Sequence, residues 1–425
     1  MKTPWGDATQ LRARKLRPGG GHSRAQTERN QRERLFAAMT ATVAEKGYEA
    51  TTVADLVNLS AVSRSSFYSH FEDKQACFLA AVDALTGPAL ERLAEDEAAV
   101  ADPESARRGF LALIEAIAAQ PAAAKMCLVE IYAAGPEAVA LLDRIVDGLA
   151  ALAARMYDRI PGRQGMPPEL VRGMVGGVQK AVYKRLLRGE EAELPGLAPR
   201  LWDWMLCVPP PPGPLKPARR RSVRPRKFEE RQAASNPPDR VLRALAAVVS
   251  EKGYQAATVA DVVERAHTSQ RTFYESFADK EAAMVAALDS GSAQMLAAAL
   301  PAFRRARDWA HSVHDTQEAM FRFAAEEPEY GRLGAVEMYA AGKRALEQRE
   351  TVTESMEALL TVGFELAPDT PPIAPEAIGG ALYALLYDFV KDKGPERLPE
   401  LVPAAVYVTL APFLGAEDAY AIAVG

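Results

Sequence analysis

At 425 residues, 48% hydrophobic and 25% charged, the chain is too long for one ordinary core and apolar enough for several packed domains. Three cysteines, Cys77, Cys127 and Cys207, stand 50 and 80 residues apart, which excludes metal-ligand spacing and a disulfide framework. The net charge of −5 is unevenly spread: residues 1–48 hold ten Lys/Arg against four Asp/Glu, and residues 208–235 hold eight against two. Two basic blocks on an otherwise acidic body are the footprint of local contact with a polyanion.

Residues 1–27 read as a basic, flexible arm with no apolar run to serve as a secretory signal. From residue 28 an amphipathic helix carries Leu35, Phe36, Met39 and Val43 and stops at Gly47, which supplies a left-handed cap. Thr52-x-x-Asp55 has the layout of a capping box opening a short second helix. A turn follows at Ser60–Val62, and Ser63 opens a third helix, SRSSFYSHF, anchored by Phe67 and Phe71. Asp73 caps the next helix with Lys74 in its first turn; a cation there opposes the helix dipole, which points to a role such as meeting phosphate. Residues 28–75 thus form a three-helix domain with a helix-turn-helix.

Residues 76–207 read as further helices. Leu142, Ile145, Val146, Leu149, Leu152 and Met156 recur at three- and four-residue steps, and Asp102-Pro103, Gly135-Pro136 and Met166-Pro167 mark helix entries. Gly173, Gly176 and Gly177 leave room for another helix to approach closely. Residues 208–235 begin with four prolines, Pro209–Pro212, and continue as a basic run; they read as an extended linker.

The chain then repeats itself. Residues 251–282, EKGYQAATVADVVERAHTSQRTFYESFADKEA, match residues 45–76, EKGYEATTVADLVNLSAVSRSSFYSHFEDKQA, at 17 of 32 positions and a constant offset. LVEIYAAG (128–135) returns as AVEMYAAG (335–342), and Gly176-Gly177 returns as Gly379-Gly380. Residues 236–281 are therefore a second helix-turn-helix domain and 282–425 a second helical region. The fold class is all-α, in two tandem units.

The pattern G-x-x-x-[ST]-T-V-x-D-[LV]-V followed by S-x-x-[ST]-F-Y-x-x-F-x-D-K-x-A, present in both copies, resembles the TetR/AcrR family of regulators. The resemblance implies a DNA-binding domain followed by a helical bundle for ligand binding and dimerisation. It implies that Arg64, Ser65, Ser66 and Tyr68 in the first copy, and Gln270, Arg271, Thr272 and Tyr274 in the second, face DNA bases. Thr52, His70, Lys74, Thr258 and Lys280 resemble the family's phosphate-contacting positions. Two departures stand out: Ala61 and His267 occupy the turn where the family has glycine, and Ser276 replaces His70 in the second copy.

Glu130 and Glu337 lie inside apolar stretches and are candidate ligand-contacting carboxylates, while a core ion pair with an arginine or a helix face turned to water is the more common role of such residues. His311-x-x-His314 has no further donor at metal spacing, so no metal and no cofactor is expected. Trp202, Trp204, Trp309, Phe321 and Phe323 are candidates for a pocket wall or for core. The longest uncharged stretch, Leu401–Ala416, is interrupted by Pro403 and Pro412 and too short to span a bilayer, so a cytoplasmic location is expected. At ~3 Å per residue the linker reaches on the order of 80 Å, beyond the ~34–36 Å between paired half-sites. The expectation is a ligand-responsive repressor of a double-stranded DNA operator, folded as a one-chain pseudo-dimer that can dimerise further. The alternative is an interaction protein with one or both heads degenerate. No nucleophile elbow, phosphate loop or carboxylate cluster suggests an enzyme.

Overall fold

Helices dominate the backbone because apolar residues recur at helical spacing and nearly every helix has its own start signal. The computed structural model describes residues 1–16, 21–95, 102–216, 223, 237–341 and 343–425. In the first copy these give α1 (Arg24–Ala50), α2 (Val53–Ser60), α3 (Arg64–His70), α4 (Lys74–Glu95), α5 (Pro103–Ala119), α6 (Pro121–Leu128), α7 (Pro136–Arg159), α8 (Pro168–Arg188) and α9 (Leu194–Cys207). The second copy has α10 (Pro237–Lys252), α11 (Val259–Arg265), α12 (Gln270–Ser276), α13 (Lys280–Arg305), α14 (Trp309–Glu326), α15 (Pro328–Ala335), α16 (Lys343–Leu360), α17 (Gly363–Leu366), α18 (Ala374–Lys393) and α19 (Val402–Val424). The basic part of the linker and residues 17–20 fall outside the described residues, apart from residue 223.

The chain divides into two compact units whose borders differ from those of the repeat. One comprises Met1–Arg159 and Ala181–Pro199; the other comprises Ile160–Lys180 and Arg200–Gly425. In the first unit Leu35, Met39, Leu56, Phe67, Cys77 and Phe78 are fully buried and join α1, α2, α3 and α4. The N-terminal segment, expected to be flexible, forms a two-residue-stranded hairpin in which Lys2 pairs with Asp7 and Thr3 with Gly6. It buries Leu11 completely and lays Trp5 on Phe36, with ring centroids 5.2 Å apart. These apolar contacts offset the entropy of ordering a short terminus, which its basic composition concealed.

In the second unit α8 and α18 cross at their small residues. A Cβ on Gly177 would stand 2.5 Å from the Ala377 carbonyl, one on Gly176 would overlap Ala384, and one on Gly380 would stand 2.9 Å from the Gly177 Cα. Ion pairs flank the crossing: Arg172 holds both oxygens of Asp388, at 2.8 and 3.1 Å, and Lys180 meets Glu357 at 2.7 Å. This is why the start of α8 belongs with the second unit although its sequence belongs to the first copy. By length and composition α13 and the stretch Pro395–Val424 are apolar enough to cross a bilayer, and the latter is 78% buried within the protein. A helix apolar all round finds its place in a core. The start of the linker lies against α19, where the Tyr407 hydroxyl donates to the Pro209 carbonyl at 2.9 Å.

Candidate nucleic-acid interface

Each head is built by the same local rules. Gly47 breaks α1 three residues before its end and Gly253 follows the last residue of α10, at φ of +82° and +79°, a conformation open to glycine without strain. Thr52 and Asp55 then form a reciprocal capping box, as do Thr258 and Asp261. Lys46 and the Thr52 cap hold the Asp55 carboxyl down to about 2, and Lys252 and Thr258 do the same for Asp261. The turns that follow contain the two non-glycine residues with positive φ among those described, Ala61 at +53° and His267 at +52°. Such a residue costs on the order of 1 kcal/mol. In the first head the buried Arg34 guanidinium donates to the carbonyls of Ser60 and Ala61, at 2.7 and 3.3 Å, and pins this turn.

The third helices present their faces alike. Ser63 and Ser269 cap α3 and α12 by accepting from the N–H of Ser66 and Thr272. Phe67 and Phe273 are fully buried, so the opposite faces point outward. Arg64, Ser65 and Tyr68 are exposed on α3; Gln270, Arg271 and Tyr274 are exposed on α12, and Ser66 and Thr272 are half-buried beneath them. Tyr68 and Tyr274 are 47% and 55% exposed, which is unusual for a large aromatic ring with no burial to gain. The heads differ in charge pairing. Arg64 lies over the Tyr68 ring at 5.8 Å, whereas Arg271 is held by Glu275 at 2.9 Å.

The remaining expected positions are also placed. His70 is half-buried with Nε2 2.7 Å from Gln31 Oε1, in a polar groove with Arg24, Thr27, Glu28, Arg32 and Ser69. Burial, then the neighbouring Arg32, lowers its pKa. Lys74 and Lys280 turn inward: each Nζ donates at 2.8 Å to the carbonyl of Tyr48 or Tyr254 and sits over that tyrosine's ring, at 4.1 and 4.3 Å. Burial lowers the pKa of both. Glu130 and Glu337 accept from the backbone N–H of the same two tyrosines, at 2.8 and 3.2 Å. Neither was legible as a backbone partner in the sequence. Arg34, Gln31 and Trp5 were missed as well, because their partners lie 4 to 39 residues away in no fixed periodicity.

The second unit encloses a cavity of about 210 Å³, walled by α13, α14, α15, α16 and α18. Trp309, Phe321 and Phe323 line it, while Trp202 and Trp204 are buried elsewhere as core. Among the described residues no charged side chain lines the cavity, and Glu337 is not one of its wall residues. Polar atoms of its wall residues, Thr316 Oγ1 and Gln317 Oε1 among them, are buried without a hydrogen-bond partner among the described residues. Phe303 and Leu359 line it and are also 38% and 41% exposed, which marks where it opens.

A family model for bacterial regulatory proteins of the TetR family matches residues 35–81 and again 241–287. Among solved structures, the fatty acid degradation regulator FadR from Bacillus halodurans is 18% identical over 43% of this chain and 97% of its own, with a TM-score of 0.38. FadR from Bacillus subtilis, solved with stearoyl-CoA, is 18% identical over 40% of this chain and 96% of its own, with a TM-score of 0.37. PfmR, a TetR family regulator from Thermus thermophilus, is 22% identical over 43% and 99%, with a TM-score of 0.35. No curated protein matches the chain.

Proposed function

This chain is a tandem TetR-family DNA-binding regulator, and on that premise we propose that it is a ligand-responsive repressor acting as a single-chain pseudo-dimer in the cytoplasm. The observation that carries this reading is the presence of two equivalent heads in one chain, together with the glycine-lined crossing of α8 from one copy and α18 from the other. Arg64, Ser65, Ser66 and Tyr68 read one half-site, and Gln270, Arg271, Thr272 and Tyr274 the other. Thr52, His70 and Thr258 lie along the DNA backbone, whereas the Lys74 and Lys280 ammonium groups are engaged by the Tyr48 and Tyr254 carbonyls. Selection of bound sequences from a random duplex library tests this: two unlike half-sites on one side of the helix support it, and no enrichment refutes it. Sedimentation of dilute protein should give the mass of one chain or of its dimer. Gly176→Leu should disrupt the crossing and leave aggregates.

The cavity is the proposed effector site. The apolar residues described in its wall suit an uncharged apolar molecule. Glu130 and Glu337 are then not its contacts. An interaction protein with a degenerate second head is the other reading, favoured only by the Arg271–Glu275 pair. Salt-dependent binding to nonspecific duplex separates the two.

A further inference from the structure

In both copies one tyrosine at the end of the first helix is held at both ends of its backbone. Glu130 accepts from the Tyr48 N–H at 2.8 Å, and Lys74 donates to the Tyr48 carbonyl at 2.8 Å. In the second copy Glu337 accepts from the Tyr254 N–H at 3.2 Å, and Lys280 donates to the Tyr254 carbonyl at 2.8 Å. The acid comes from the short turn after α6 or α15, and the lysine from the first turn of α4 or α13. Close approach is possible because the residue before each tyrosine is glycine. A Cβ on Gly47 would stand 3.3 Å from Glu130 Oε2, and the left-handed backbone there excludes most other residues. Three residues after each tyrosine comes the residue that precedes the capping threonine of the second helix, so the grip sets where the helix-turn-helix begins.

In the second copy both arms grow from walls of the cavity. Met338, next to Glu337, lines it, as do Leu333 and Ala335 just before. Ala287, Leu288 and Gly291 line it two to three turns along the helix that Lys280 starts. Glu337 is 8% exposed with Arg332 3.5 Å away, so its carboxylate has little freedom to exchange Tyr254 for water. We propose that Glu130 and Glu337 are positioning residues that fix each DNA-binding head to its helical bundle, and that the Glu337–Tyr254–Lys280 grip conveys occupancy of the cavity to the second head. The second half of this statement rests on the cavity being the effector site; the first half does not.

The test uses the full-length chain with Glu337→Ala, Glu337→Gln, Glu130→Ala and wild type. Hydrogen exchange reads the grip without any ligand. Glu337→Ala should speed exchange in residues 253–258 by about tenfold, the loss of one charge-assisted hydrogen bond, while residues 47–52 stay as in wild type. Glu130→Ala should show the reverse, and Glu337→Gln, which keeps an acceptor oxygen, should stay close to wild type. Unchanged exchange in both alanine variants overturns the grip. The uncharged fluorophore N-phenyl-1-naphthylamine then reads the coupling against a duplex selected by the wild-type protein. Wild type should bind fluorophore and duplex with mutually altered affinities. Glu337→Ala should bind the fluorophore as before with that coupling reduced severalfold, and Glu337→Gln should restore it. Full coupling in Glu337→Ala overturns the relay. Failure of wild type to bind the fluorophore counts against the cavity as an apolar effector site, and the relay falls with it, while the grip stands or falls on exchange alone.

Discussion

In the first head α3 offers Arg64 over the Tyr68 ring, and His70 sits in a groove with two arginines; in the second, Gln270 stands at the position of Arg64, Arg271 is neutralised by Glu275, and Ser276 replaces His70. The frames that carry these side chains are alike: the same capping boxes, the same left-handed turns, the same buried phenylalanine. Duplication therefore kept what positions the third helix and let its exposed residues diverge. Frame residues are each tied to several partners, whereas an exposed residue on the third helix is held by few.

The comparison breaks most readily at Arg64 and Gln270. Arginine suits the O6 and N7 acceptors of guanine and glutamine suits adenine, with ~1–3 kcal/mol of discrimination for a good bidentate contact. The best operator should accordingly be non-palindromic, and Arg64→Gln should relax guanine preference in one half-site only. A perfect palindrome as the best site would mean that two chains each present the same head. Next in size is the turn. Ala61→Gly and His267→Gly remove a left-handed strain of ~1 kcal/mol each, and each should raise the unfolding midpoint of its own head. No rise at either position would mean that the surrounding turn holds the side chain without strain.

A smaller effect is expected at Glu275. The pair with Arg271 is mostly exposed, 58% and 88%, so it is worth at most about 1 kcal/mol. Glu275→Ser, which copies Ser69 of the first head, should free Arg271, tighten duplex binding by up to about fivefold and steepen the salt dependence by about one counterion. Weaker binding would show that Glu275 itself meets a base. The smallest effect is on pH. Burial and Arg32 hold the His70 pKa below its ordinary value, so the ring is neutral at pH 7.5 and gains a proton as pH falls. Phosphate favours the charged form, so affinity should rise with falling pH with a logarithmic slope of at most ~1. His70→Ser should abolish that slope; a slope that survives it belongs to another group.

Much of this molecule is local. The helix entries at Pro103, Pro121 and Pro136, the capping boxes at Thr52 and Thr258 and the glycine stops at Gly47 and Gly253 were all readable, because each depends on residues within one turn of helix. The repeat placed the second head on the page without any structure. The roles of Lys74, Lys280, Glu130 and Glu337 were not readable in this way. Each of these side chains finds its partner 23 to 83 residues away, and a charge in an apolar helix looks the same whether it faces a ligand, an ion or a peptide N–H.

The sequence alone determined that the protein is all-helical, that it is a duplication, and where the third helix of each head begins and ends, since periodicity, caps and turns are properties of neighbouring residues. Tertiary structure decided the rest. It folded the basic N-terminus into a hairpin on Phe36, assigned the start of α8 to the second unit through its fit against α18, enclosed a cavity among five helices, and turned two expected phosphate lysines inward onto tyrosine carbonyls. Those outcomes depend on which surfaces fit each other at close range, and shape complementarity between distant segments leaves no periodic trace in the chain.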